Sequence, residues 1–101
     1  MKTRHLARAV AVQTLYSLDF NESIHSVSLP YNGGFAGYTA EEEEEMEVEV
    51  KLFASILINV SLEHLDEIDE MINRFSSKRS IENISIVDRN ILRISIYSLL
   101  Y

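Results

Sequence analysis

Every strong helix breaker in the chain falls inside eight residues. The single proline, Pro30, and all three glycines, Gly33, Gly34 and Gly37, lie in that window. These residues most readily end regular structure, so the segments on either side are free to be helical and the expected fold class is all-α. A first helix is expected over about 4–20, where Leu6, Ala7, Val10, Ala11, Leu15 and Leu18 recur at helical spacing. Residues 21–38 read as a polar, flexible loop with room for a helical turn near 24–29. Thr39 followed by Glu42 has the spacing of a capping box, and the acidic run from Glu41 to Glu45 lies where the helix dipole favours it. One helix is expected to continue from there, with Met46, Val50, Phe53, Leu57 and Val60 as its apolar stripe. A third, over 62–75 and capped by Ser61, turns Leu65, Ile68, Met71 and Ile72 inward and Glu63, Asp66, Glu67 and Glu70 outward.

Residues 76–85 form a basic, serine-rich connection, and Ser85 with Asp88 three residues later opens a last helix that runs to the chain end. Val87, Ile91 and Ile94 make one of its faces, and Leu92, Ile96 and Leu99 another. A helix apolar on two sides belongs at the centre of a core, yet only one side finds partners in this sequence. The expected organisation is a three-helix subdomain over 1–75 and the connector and first helix of an incomplete second subdomain over 76–101. Marginal stability, or self-association through the exposed apolar last helix, is the expected consequence.

Composition narrows the function classes. With 47% hydrophobic and 25% charged residues in 101, the chain can bury a core. No apolar run approaches the ~18 residues of a membrane span, and the basic start lacks the pattern of a secretory signal. Without cysteine there is no disulfide, thiol nucleophile or Cys-based zinc site, so a cytoplasmic protein is the default. His5, His25 and His64 are too scattered to make a metal site, the glycine cluster lacks the Lys-Ser/Thr of a phosphate-binding loop, and no cofactor is called for.

The net charge of −7 conceals opposite signs. Residues 41–70 hold twelve acids against Lys51. Residues 1–18 hold Lys2, Arg4 and Arg8 against none, and 74–93 hold Arg74, Lys78, Arg79, Arg89 and Arg93 against Glu82 and Asp88. Cations at a helix start oppose the dipole, so Lys2, Arg4, His5 and Arg8 read either as an anion site for nucleic-acid phosphates or as a solvated basic terminus. Lys78 and Arg79 offer a second phosphate contact, with surface solubility as the alternative. Arg89 and Arg93, one turn apart on an apolar helix, must each reach solvent or a carboxylate. Asp88 and Arg89 fit capping and pairing between helices.

Arg4-His5-Leu6-Ala7-Arg8-Ala9-Val10-Ala11-Val12-Gln13-Thr14-Leu15-Tyr16 resembles the first helix of the NusB transcription antitermination factor family. Ile86-Val87-Asp88-Arg89-Asn90-Ile91-Leu92-Arg93-Ile94-Ser95-Ile96-Tyr97 resembles a later helix of the same family. The resemblance implies a NusB-like helical bundle and a non-catalytic, RNA-binding factor. Such a factor binds boxA RNA of nascent ribosomal transcripts together with the ribosomal protein NusE, within the antitermination complex on RNA polymerase. By position the resemblance implies RNA contacts at Arg4, His5 and Arg8 and sets Tyr16 where the first helix approaches RNA and partner; Lys2, Lys78 and Arg79 are further RNA-contact candidates, and Glu82 a further partner-contact candidate. His5 stands where the family usually has arginine, exchanging a fixed charge for a stacking face. The family's later Asn-Glu-Ala-Val and Phe-Val-Asn-Gly-Val-Leu-Asp segments do not occur here. Two alternatives stay open: a module like the N-terminal part of ribosomal RNA cytosine methyltransferases, or a helical protein-interaction module that binds through its acidic face.

Overall fold

The computed structural model describes residues 2–75 and 81–100, with the side chain of Leu100 outside that description. In chain order the elements are α1 (Lys2–Phe20), a 3₁₀ turn (Ile24–Ser26), α2 (Ala40–Glu45), α3 (Val48–Glu63), α4 (Leu65–Phe75), a second 3₁₀ turn (Ile81–Asn83) and α5 (Ile86–Leu100). There is no strand among the described residues.

Helix α1 buries Ala7, Val10, Ala11, Thr14 and Leu15, one face at three- and four-residue spacing. The two alanines let α3 approach closely. Ala11 and Leu15 pack with Ile24, Ile58, Leu62, Leu65 and Ile94, so the core already contains a residue of α5, the helix assigned by sequence to a second subdomain. Glu22 closes α1 at a positive φ of 57°. There Ser23 N–H donates to Leu18 O (2.9 Å) and Glu22 N–H to Asp19 O (3.0 Å), the Schellman arrangement usually built on glycine.

The segment expected to be a flexible loop is tied to both long helices. Asn59 accepts from Tyr31 N–H at 2.6 Å. Thr14 Oγ1 donates to Val10 O (2.9 Å) and accepts from Ala36 N–H (3.2 Å). Gly34 and Gly37 supply the positive φ values, 86° and 85°, that the turns of this segment require.

Three details of the helices depart from the sequence reading. The capping box at Thr39 and Glu42 forms, but the helix it opens ends at Glu45, because Met46 is extended (φ −65°, ψ 141°). Five consecutive glutamates have no apolar face to lay on a neighbour, whereas Met46 packs against the core cluster of Ala7, Val10, Val50 and Ala54. The chain bends there to seat α3. Second, the buried stripe of α3 is Val50, Ala54, Ile58, Ser61 and Leu62, one position away from Phe53 and Leu57. Small residues take the close contact with α1 and the larger ones flank it. Third, Ser61 does not cap α4: it lies buried inside α3, and its Oγ has no hydrogen-bond partner among the described residues.

The last helix is capped as expected, with Asp88 N–H donating to Ser85 Oγ (3.1 Å), but it is seated the other way round. Asn90 (0% exposed), Arg93 (2%) and Ile94 (3%) face the bundle, while Val87 (49%), Ile91 (46%), Leu92 (39%) and Leu99 (84%) face outward. Charge, not apolar area, occupies much of its inner side.

Candidate nucleic acid interface

The first two turns of α1 place Lys2, Arg4, His5 and Arg8 on the surface. Among the described residues none of the four forms an ion pair, and the Arg4 guanidinium lies 5.3 Å from the Phe53 ring centroid. That cation–π contact, worth about 0.5–1 kcal/mol at an exposed site, holds Arg4 against α3 with its charge open to solvent. Arg8 stands between two grooves. One, of about 320 Å³, runs over Arg4, Phe53, Ile56 and Tyr97. The other, of about 520 Å³, contains His5, Val12, Gln13, Tyr38 and Ile91.

Farther along α1 the surface changes from basic to aromatic. Tyr16 stacks on Phe20, ring centroids 5.9 Å apart and planes at 22°, a product of their four-residue spacing. Both rings enter a third groove, of about 470 Å³, with Val12, Gln13, Ala36, Gly37 and Val87. Since Val12 and Gln13 line this groove and the previous one, basic cluster and aromatic pair belong to one strip. From Arg4 to Phe20 it extends about 24 Å at 1.5 Å per residue. The hydrogen bond from Ala36 N–H to Thr14 Oγ1 sets the loop alongside.

The other sequence-derived positions are elsewhere. Glu82 is exposed on the second 3₁₀ turn and lines a cleft with Asp19, Glu22, His25, Asp69, Arg89 and Arg93. Tyr16 lines the aromatic groove and Glu82 this separate cleft. Lys78 and Arg79 lie outside the described residues.

What the sequence reading missed is the carboxylate side of this cleft. Asp19, 6% exposed, accepts from Arg89 Nε (2.6 Å) and Nη2 (2.5 Å), Asn90 Nδ2 (3.0 Å) and Arg93 Nη1 (3.0 Å). Arg93 turns its Nε and Nη2 to Asp69 at 2.7 and 2.8 Å, a bidentate pair. The available signals were two arginines one turn apart and an aspartate in the last turn of α1, where the dipole disfavours it.

Burial alone would raise the Asp19 pKa. The hydrogen bonds from Arg89 and Asn90 and the charges of Arg93 and Arg89 outweigh it and hold the carboxyl below its ordinary value. The same hydrogen bond to Asp19, against the cost of burial, raises the Arg89 pKa. Because the folded Asp19 pKa is depressed, its contribution to stability is fully present above the unfolded value of about 3.9. It is lost as pH falls through the lower folded value. Stability against urea is therefore expected to decline steeply below about pH 4, and less steeply in Asp19→Asn. Equal pH dependence in the two proteins would contradict the assignment.

The described residues make an all-helical bundle whose surface carries exposed cations beside an aromatic groove. No helix among the described residues is long and apolar enough to cross a membrane. The NusB family profile matches residues 5–101, and the chain belongs to the NusB family. It is 36% identical to the transcription antitermination protein NusB of Thermodesulfovibrio yellowstonii, a match covering 97% of this chain and 66% of that protein. The NusB proteins of Syntrophus aciditrophicus and Myxococcus xanthus are 34% and 33% identical over the whole chain, which spans 58% and 69% of their lengths. No solved structure matches the chain.

Proposed function

We propose that the chain is an RNA-binding antitermination factor that takes boxA-type RNA jointly with the ribosomal protein NusE, within the antitermination complex on RNA polymerase. The observation that carries this reading is the strip on α1. Exposed cations at Lys2, Arg4, His5 and Arg8 meet phosphates, and the Tyr16–Phe20 pair offers a face to unstacked bases or to the partner. The names of the relatives, transcription antitermination protein NusB, support it. Glu82 supplies a carboxylate to the basic partner, and Lys78 and Arg79 a second phosphate contact. A fluorescence titration with boxA RNA, with and without NusE and at two salt concentrations, tests the reading. NusE is expected to raise RNA affinity, and a titration it leaves unchanged sinks the proposal.

The outward apolar side chains of α5 carry a second expectation. Val87, Ile91, Leu92 and Leu99 are all more than a third exposed, and each forgoes a share, set by its exposed part, of the about 1.5–3 kcal/mol that full burial brings. The isolated chain is expected to self-associate through this helix, with a weight-average mass that rises with concentration in sedimentation equilibrium. Leu92→Lys with Leu99→Lys should restore the monomer, and a concentration-independent monomer mass for the unaltered chain would refute the idea.

A further inference from the structure

The buried ion cluster is a poor choice for stability and a good one for geometry. An acid in the last turn of a helix opposes the dipole, and a buried ion pair often gains little over apolar residues of the same volume. What charges add is direction, because Asp19 receives four hydrogen bonds from three side chains of α5. Direction matters for this helix in particular. With apolar side chains on two further sides, at Val87 and Ile91 and at Leu92 and Leu99, apolar burial alone would accept several rotations of α5 about its axis. Turning Val87 and Ile91 inward would carry Arg89 and Arg93 away and leave Asp19, 6% exposed on α1, without its cations; a penalty of this kind is how buried polar groups fix register.

The rotation so chosen builds the α1 strip. Tyr16 and Phe20 flank Asp19 in sequence but point outward into the groove, and Val87 closes that groove from α5. Ile91, one turn later, lines the neighbouring groove with His5 and Arg8. We propose that Asp19 is a positioning residue for this surface: through Arg89, Asn90 and Arg93 it selects the one seating of α5 that places Val87 in one groove with Tyr16 and Ile91 in one groove with Arg8. The functional consequence rests on the RNA-binding reading above; the structural assignment does not.

The groups that face Asp19 are Arg89, Asn90 and Arg93 from α5 and Asp69 from α4 through Arg93, with Glu22, His25 and Glu82 around the same cleft. Asp69 ties Arg93 to α4 and does not line the groove. The test is methyl NMR of the full chain and of three variants, Asp19→Asn, the milder Arg89→Gln, which leaves Asp19 paired with Arg93, and Asp69→Asn as the comparison.

For Asp19→Asn and Arg89→Gln the expected result is split or broadened Val87 and Ile91 methyl signals and loss of the Val87–Tyr16 cross-peaks. Amide exchange in α1, α3 and α4 should stay within threefold of the parent, and affinity for boxA-type single-stranded RNA should fall about tenfold. Asp69→Asn should keep the cross-peaks. A single unshifted set of cross-peaks in both first variants overturns the proposal. So does a uniform loss of protection in all helices of Arg89→Gln, or equal splitting in Asp69→Asn. If the parent chain binds no RNA, the functional reading fails while the NMR result still decides the role of Asp19.

Discussion

Arg93→Ala is expected to cost about 3–5 kcal/mol, the usual effect of removing one partner from a buried ion pair. The side chain is 3% exposed and satisfies two carboxylates and an amide: Asp69 at 2.7 and 2.8 Å, Asp19 at 3.0 Å and Asn90 Oδ1 at 2.9 Å. Truncation leaves Asp69 without this partner and Asp19 with Arg89 as its remaining cation. For a domain near 100 residues, with about 5–15 kcal/mol in total, the loss is a large share of the whole. The melting temperature should drop by at least about 12 °C. Arg89→Ala should cost less, because that side chain is 18% exposed and Arg93 still serves Asp19. Leu92→Ala on the same helix should cost less again, since Leu92 is 39% exposed. An arginine that outweighs a leucine inverts the usual order for a helix. Urea unfolding of the three variants checks it, and a loss under 1 kcal/mol for Arg93→Ala would show that the pair contributes little.

That inversion also marks where the sequence stopped being readable. The helices of the chain follow from where its breakers are not, and the caps at Thr39 and Ser85 follow from short spacings within one segment. Local signals of this kind need no knowledge of neighbours. The bend at Met46 is different: Glu41 to Glu45 propagate helix well by propensity, and only the packing of Met46 against the core cluster that α1 and α3 share shows why the chain turns. The stripe on α3 was misplaced for a related reason, because close helix approach rewards Ala54 and Ser61 while apolar pattern-matching rewards Phe53 and Leu57.

The surface divides along the same line. Exposure of Lys2, Arg4, His5 and Arg8 is legible from charge at a helix start. Their continuity with Tyr16 and Phe20 depends on the loop bond from Ala36 to Thr14 and on the seating of α5. Arg89 and Arg93 announced a need for solvent or carboxylates without saying which. Asp19 is 70 residues from Arg89 in the chain, and no local pattern connects the two.

The double variant Arg4→Ala/Arg8→Ala carries the largest functional effect. Each cation that neutralises a phosphate on a single strand releases counterions and adds about 0.7 to the slope of log affinity against log salt. Between 1 M and 0.1 M salt that is a factor of about five per contact. Losing two contacts should weaken binding about 25-fold at 0.1 M salt, reduce the slope by about 1.4, and leave the two proteins nearly equal at 1 M. The fold should tolerate the change, because both side chains are exposed and Arg4 gives up only its contact with Phe53. Tyr16→Ala separates stacking from charge: losing an aromatic platform costs about 1–3 kcal/mol per base, so affinity should drop at every salt concentration with the slope unchanged. A salt titration of the parent, the double arginine variant and Tyr16→Ala reads both effects at once. If the arginine variant keeps the parental slope, its side chains do not meet phosphates, and the basic end of α1 is a solvated terminus after all.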